Sequence, residues 1–290
     1  MYEGGLILEG GGMKGVYTAG VLDFFLDKGI LFSSVYGVSA GACHMCSYLS
    51  GQRGRALDVS VDYLDTRRYC SLESLMTSGD LFNVDICYSL IPDYLYPYDY
   101  EAFRRYEGKA YSVATDIVTG RPEYFRIRDM KADIVKIRAS ASLPLVSRNV
   151  KIGNRLYLDG GISDSIPLQQ SVLNGNHKNV VVMTKEVGYV RKPSHQLGLI
   201  KARYARYPKV YQLMAERHIN YNEQLEYISR QQQEGRAFVI RPKTASNVAR
   251  VEKDPDKLYA LYQQGYDEAA ECYEDLLEYL ETPVHKYNME

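Results

Sequence analysis

One serine in the chain stands in a setting that suits a nucleophile. Ser39 is the centre of Gly37-Val38-Ser39-Ala40-Gly41, a G-x-S-x-G pentad. Residues 33–38 before it read as a strand, and the small residues 40–49 after it read as a helix. A serine on a sharp strand-to-helix turn holds its Oγ clear of the backbone. Gly37 and Gly41 suit such a turn because a Cβ would resist its φ values and block the approach of a substrate. The helix N-terminus behind Ser39 adds positive potential where an alkoxide or oxyanion would form. The pentad alone is a weak pattern; the strand before it and the helix after it give it weight.

A second glycine turn precedes this one. Gly10, Gly11, Gly12, Met13, Lys14 and Gly15 follow a short apolar strand at residues 5–9 and lead into a helix at 16–28. The spacing also fits a dinucleotide fingerprint, which needs an acidic residue about 20 positions on to hold a ribose. Tyr36, Gly37, Val38 and Ser39 occupy that place instead, and Asp23 and Asp27 fall inside the helix. No Gly-Lys-Ser/Thr closes the run, which excludes a P-loop. What remains is a set of free backbone N–H groups aimed at an anion. Beside a nucleophilic serine, that anion is the oxyanion of an acyl-transfer intermediate.

A carboxylate follows at Asp159, where a short strand at 155–158 ends in Asp159-Gly160-Gly161. An Asp at the carboxyl end of a strand, with glycines relieving crowding behind it, is a usual place for a catalytic carboxylate in an open α/β sheet. An Asp-Gly turn joining two strands explains the same residues. Residues 139–144, small and polar with a proline stop, suit close packing near a site. Cys43 and Cys46 flank His44 on the helix after Ser39, but a lone C-x-x-C lacks ligands for a metal, and helix packing accounts for it better. No metal or cofactor is expected.

The rest of the chain must position these groups. Strand, glycine turn, helix, strand, serine turn, helix over the first 50 residues is a βαβα start. It implies a mostly parallel sheet with helices packed on it, a three-layer α/β sandwich in which the first two strands are neighbours and both turns share one sheet edge. Residues 52–108 read as a helical, irregular insertion with an aromatic, proline-punctuated stretch at 90–100, either a packed surface loop or a cap over an apolar pocket. Strands are expected at 111–114, 123–127 and 179–184, and a helix turn or short strand at 134–139. Residues 186–290 form a C-terminal helical part with one strand at 237–241 and one long acidic helix at 255–281. Lys201, Arg203 and Arg206, interleaved with Tyr204 and Tyr207, read as a solvated helix face, a lipid-headgroup surface being the alternative. There is no internal repeat or clear linker, so residues 1–290 are taken as one domain.

Composition narrows the partners. The chain has 290 residues, a formal net charge of −1 and 46% hydrophobic residues, so nothing favours nucleic acid. Five cysteines and the lack of a basic, then apolar N-terminal leader point to a reducing cytoplasm. No apolar run reaches the roughly 18 residues of a membrane span, which leaves peripheral contact with a membrane surface.

Taken in order, the loop at 10–15, the elbow at 37–41, the segment at 139–144 and Asp159-Gly160-Gly161 resemble the patatin-like phospholipase family. The resemblance covers residues 5–185 well. It implies a patatin-like fold, Ser39 as nucleophile, Asp159 as its proton acceptor, and an oxyanion hole from the backbone of residues 10–15. The substrate it implies is an acyl ester of a lipid, as for a phospholipase A, a lysophospholipase or an esterase. Lys14 departs from the arginine commoner in such loops, which costs a bidentate fork. Two alternatives stay open. One is an α/β-hydrolase esterase with a Ser39–Asp159–His triad drawn from His44, His177, His195, His218 or His285. The other is a non-catalytic lipid-binding protein on the same fold.

Overall fold

The computed structural model describes residues 1–64, 66 and 69–283. Eight strands form one sheet: β1 (Tyr2–Leu8), β2 (Phe32–Val38), β3 (Lys109–Asp116), β4 (Pro122–Ile127), β5 (Val150–Ile152), β6 (Arg155–Asp159), β7 (Asn179–Val182) and β8 (Ala237–Ile240). Their order is β5-β6-β3-β2-β1-β7-β8, with β4 also on β3. The pairs β1–β2, β2–β3, β1–β7 and β7–β8 are parallel, so the expected neighbourhood of the first two strands holds.

Alternation along the central strands builds the layers. Successive strand side chains point to opposite faces. Leu6, Leu8, Val180 and Val182 belong to one buried cluster, whereas Ile7, Val181 and Met183 belong to another. The first cluster is covered by α1 (Val16–Asp27) and α2 (Ala40–Leu49). The second is covered from the C-terminal side of the chain, chiefly by Tyr221 and Ile228 of the helix Pro208–Gln233. Both faces of a mostly parallel sheet are therefore sealed by helices.

The insertion after α2 carries α3 (Arg55–Val61), α4 (Leu72–Ser78), a π-helical stretch at Ile86–Leu95 and α5 (Tyr100–Arg104). Residues 134–139, expected as a helix turn or short strand, lie inside α6 (Met130–Ser140), capped by the Asp129 carboxylate on the Lys131 and Ala132 N–H groups. Then come α7 (Leu168–Leu173), α8 (Leu197–Arg203) and α9 (Pro208–Gln233). The long helix expected at 255–281 is two helices, α10 (Pro255–Glu271) and α11 (Tyr273–Glu281), broken at Cys272, whose backbone leaves the helical region. No sequence signal marked the three-residue strand β5, which pairs only with β6 in a hairpin.

The C-terminal helices share the main core. Leu258, Leu261, Tyr262, Leu276 and Leu280 belong to the same buried cluster as Leu8, Val16 and Tyr17. Helices α1 and α10 meet backbone to backbone. A Cβ on Gly20 would lie 2.0 Å from the Tyr262 carbonyl oxygen, and one on Gly265 would lie 2.1 Å from that of Tyr17. Only two glycines permit that approach. Gly265→Val is therefore expected to force the helices apart and cost about 1–3 kcal/mol, as overpacking does. Thermal unfolding should read this as a fall of roughly 2–4 °C per kcal/mol; an unchanged Tm would mean the helices do not meet this closely.

Candidate active site

The edges of β3 decide what lies beside Ser39. β4 pairs along one edge of β3, from Ala110 to Thr115. A strand has only two edges, so β2 and β6 must share the other. β2 occupies it up to Val113, opposite Val38, and β6 takes over at Ala114, opposite Asp159. β2 runs parallel to β3 and β6 antiparallel, so their carboxyl ends approach each other head-on. Ser39 is the next residue after one, and Asp159 is the last residue of the other. The outcome is a hydrogen bond from Ser39 Oγ to Asp159 Oδ2 of 2.6 Å.

The serine turn is strained and braced. Ser39 has φ 54° and ψ −121°, one of two non-glycine residues at positive φ among the described residues. Such a conformation costs on the order of 1–3 kcal/mol and persists only when the surroundings dictate it. The Ser39 N–H donates to Ser140 Oγ at 2.9 Å, and its carbonyl accepts the N–H groups of Ala42 and Cys43. Gly41 lets the turn rest on the end of β1, where a Cβ would stand 2.4 Å from the Leu8 carbonyl oxygen. The same closeness joins the two turns, since a Cβ on Gly10 would be 2.7 Å from Ser39 Cβ.

Asp159 is held on every side. Its Oδ1 accepts the Gly161 N–H at 2.7 Å, its backbone N–H donates to the Ser142 carbonyl, and its own carbonyl accepts the Thr115 hydroxyl. Gly160 lies so close to β3 that a Cβ would meet the Val113 carbonyl oxygen at 2.1 Å. The carboxyl is 1% exposed as part of its residue, and burial raises its pKa above the ordinary value. The Ser39 hydroxyl, the Arg217 guanidinium, the Gly161 N–H and Arg250 pull it partly back.

The glycine loop passes directly over this pair. No acceptor among the described residues takes the N–H groups of Gly10, Gly11 or Gly12. Met13 differs from the expectation of a free donor, because its N–H is bound to the Arg250 carbonyl at 3.0 Å. Lys14 and Gly15 lie in the 3-10 turn Gly12–Gly15, and Lys14 Nζ donates to the Ser246 carbonyl. The segment around 246–250, with no motif of its own, thus anchors the loop from behind.

None of the four described histidines hydrogen-bonds Ser39 or Asp159; His285 lies outside the described residues. His44 is buried against Gly15 and lines the apolar cavity that Ser39 also borders, and burial pushes its pKa down to about 4. Cys46 is spent on helix packing, its thiol on the Ala42 carbonyl and the Met130 sulfur. Lys201, Arg203 and Arg206 are exposed and line neither cavity at Ser39.

Two cavities meet at Ser39. One, of about 220 Å³, is mostly apolar, with Val16, Val59, Phe82, Ile91, Met130 and Ile137 among its walls. The insertion supplies part of that wall, including Tyr98 and Tyr100 from the aromatic stretch, while Tyr94 is 75% exposed. The other, of about 90 Å³, is polar, and Ser39 and Gly12 border both. Sequence reasoning placed Ser140 in a segment packed near a site without giving it a role, and it missed Glu9 and Arg217. Glu9, a charge at the end of a buried strand, was the one visible cue. Arg217 looks like any arginine on an amphipathic helix until α9 folds back over Gly161.

This arrangement, an open α/β sheet with a strained serine turn and a bonded carboxylate where two strand ends meet, defines a serine-elbow protein. The family comparison then places the chain. It belongs to the patatin-like phospholipase family, whose model matches residues 6–172, more than half of the chain. Residues 207–281 match a second model, a domain of unknown function designated DUF6363. The protein is 32% identical over 183 residues to YjjU, an uncharacterized protein of Escherichia coli strain K12, a stretch covering 62% of this chain and 51% of that one. It is 26% identical to the probable lipid hydrolase 463L of invertebrate iridescent virus 6, over 60% of this chain and 65% of that one. The match to YqhO of Bacillus subtilis is 25%, over 58% and 66%. The matched part thus spans between half and two thirds of these relatives. VipD of Legionella pneumophila superposes at TM-score 0.48 and 12% identity, covering 95% of this chain and 67% of that one. No helix among the described residues is long and apolar enough to cross a membrane.

The raised pKa of Asp159 has a consequence for stability. A carboxyl whose folded pKa lies above its unfolded value of ~3.9 binds its proton more tightly when folded. Stability is therefore lost as pH rises from that unfolded value through the folded one. Asp159→Asn, which removes the buried charge, is expected to raise Tm at pH 7, with the gain shrinking as pH approaches 4. A gain independent of pH, or a loss at pH 7, would refute the burial argument.

Proposed function

We propose that the protein is a serine acyl hydrolase that cleaves carboxylic esters of lipids by a Ser39–Asp159 dyad. The observation that carries this reading is the 2.6 Å hydrogen bond between the two side chains, made on a strained turn beside unoccupied glycine N–H groups. The apolar cavity bordering Ser39 supports an acyl chain as the group bound there.

The steps follow from the geometry. Asp159 Oδ2 takes the Ser39 hydroxyl proton as Oγ attacks the ester carbonyl. The carbonyl oxygen becomes an oxyanion and is received by the N–H groups of Gly11 and Gly12, each such donor being worth roughly 3 kcal/mol. Gly10 supports the turn at its base, and Met13, Lys14 and Gly15 carry the loop into α1. The C–O bond to the alcohol then breaks, and the leaving oxygen takes the proton from Asp159. Water gives a proton to Asp159 and attacks the acyl-Ser39. Collapse frees the fatty acid and returns the proton to Oγ. Burial helps, because a carboxylate at its ordinary pKa of ~3.9 is a poor base at pH 7. Gly37, Gly41, Gly160 and Gly161 serve by close packing. No step calls on a metal or cofactor. Among the described residues no histidine hydrogen-bonds Ser39 or Asp159, which favours the dyad over a triad drawn from those four. Five cysteines, all unpaired thiols, support a reducing, cytoplasmic setting.

A fluorophosphonate probe should add once, and peptide mapping should place the adduct on Ser39; labelling that survives Ser39→Ala would remove that serine from the mechanism. With a p-nitrophenyl ester, Asp159→Asn should lose on the order of 10³-fold or more in kcat/KM, while each single His→Gln variant stays within about tenfold. A histidine variant that falls as far as Asp159→Asn would turn the dyad into a triad.

A further inference from the structure

The polar cavity beside Ser39 is crowded with positive charge that the chemistry above does not require. Lys14, Lys185, Arg191, Arg217 and Arg250 all line it, against two carboxylates, Glu9 and Asp159. None of the five cations forms an ion pair within 4.0 Å among the described residues. The two carboxylates are already committed. Glu9 accepts the Thr184 N–H at 2.7 Å and the Tyr221 hydroxyl at 2.6 Å, and Asp159 holds Ser39 and Gly161.

Four of the five cations, Lys14, Lys185, Arg191 and Arg217, are held by contacts, and the fifth, Arg250, is exposed. The Arg191 guanidinium lies over the Tyr221 ring, 4.0 Å from its centre, and the Arg191 backbone is clamped on both sides by the Asn222 amide. Its Nε is buried with no hydrogen-bond partner. Arg217 is tied by Nε to the Gly161 carbonyl at 2.6 Å. Lys185 lies over the Tyr189 ring, and burial with the neighbouring cations pushes its pKa down to about 8. Burying cations without partners is costly. A fold that holds several around one small space is arranged for an anion that arrives from outside.

We infer that this pocket receives the phosphate of the substrate's headgroup, so that the preferred substrate is an acyl ester whose alcohol carries a phosphate a few bonds from the scissile oxygen. The inference rests on the hydrolase reading and deepens it. Ser39 and Gly12 border both cavities, so an ester carbonyl at Ser39 has its acyl chain on the apolar side and its alcohol on the cationic side. The space, about 90 Å³, is large enough for a phosphate group. Arginine forks and a lysine point charge are the groups that recognise phosphate oxygens. Four of the five cations come from outside residues 6–172, so this specificity is supplied by the later part of the chain, Arg217 and Arg250 by the DUF6363 segment.

The test compares 1-oleoyl-glycerol 3-phosphate with 1-oleoyl-glycerol, which has the same acyl ester and no phosphate, in neutral detergent micelles. The full chain should favour the phosphate-bearing ester by at least about tenfold in kcat/KM. That ratio should fall towards one in Arg191→Gln and in the double variant Lys185→Gln/Arg191→Gln, and persist in Arg203→Gln, an exposed control. Glycerol 3-phosphate should raise Tm of the wild type and not of the double variant, a reading that needs no turnover. Equal rates on the two esters, or a ratio unmoved by the double variant, would overturn the inference. A Tm rise with inorganic phosphate as large as with glycerol 3-phosphate, without substrate preference, would overturn it too, as a free-anion site. If no ester is cleaved and Ser39 takes no fluorophosphonate, the hydrolase reading fails by itself, and the Tm shift still judges the pocket.

Discussion

Two strands compete for one edge of β3, and the site exists because neither wins all of it. β2 keeps the edge up to Val113, and β6 takes it from Ala114. Because they run in opposite directions, their carboxyl ends collide, and the chain must leave the sheet at both. Ser39 turns sharply into α2, and Asp159 turns through Gly160 and Gly161. Strand ends carry unpaired backbone groups that must find partners elsewhere. Here the Ser140 hydroxyl and the Ser142 carbonyl supply them, one to each turn. The end of α6 is therefore the brace that fixes the distance between the proposed nucleophile and its proposed base.

Strain and burial are both stored at this junction. The backbone of Ser39 sits where a side chain is disfavoured, and the carboxyl of Asp159 sits where a charge is disfavoured. Each is a local cost with a chemical use. The strained turn lifts Oγ away from its own backbone, and the dry surroundings make the carboxylate a better proton acceptor. Such conflicts between local preference and global fold are expected at functional sites and rare elsewhere. Leu145, the other non-glycine residue at positive φ, is three residues past Ser142 on the same bracing segment.

The C-terminal third completes the site. α9 crosses the face of the sheet opposite α1 and α2 and brings Arg217 onto the Gly161 carbonyl. The 246–250 segment closes over the glycine loop, with the Arg250 carbonyl on the Met13 N–H. α10 docks on α1, the helix that the loop starts, through Gly20 and Gly265. The region outside the patatin-like match is thus structurally continuous with the loop, and in the proposed reading it also sets which alcohol can be accepted.

Local chemistry made much of this legible before any fold was known. A glycine-flanked serine between strand and helix, a glycine run between strand and helix, and an Asp-Gly-Gly at a strand end each carry their geometry in a few consecutive residues. Period-2 and period-3.6 patterns did the same for the parallel sheet and the helices on it. Short runs left choices open or hid breaks: residues 134–139 are too few to show a helical period and decide between helix and strand, and nothing local marks the break at Cys272. What only tertiary structure decided is every relation between distant parts. That Ser39 and Asp159, 120 residues apart, share a hydrogen bond follows from strand pairing on β3. The Met13 N–H is occupied because a carbonyl more than 200 residues later reaches it. Five cations scattered from Lys14 to Arg250 look like ordinary surface charge in the sequence, because charge clustering is a property of folded distance and leaves no trace in spacing.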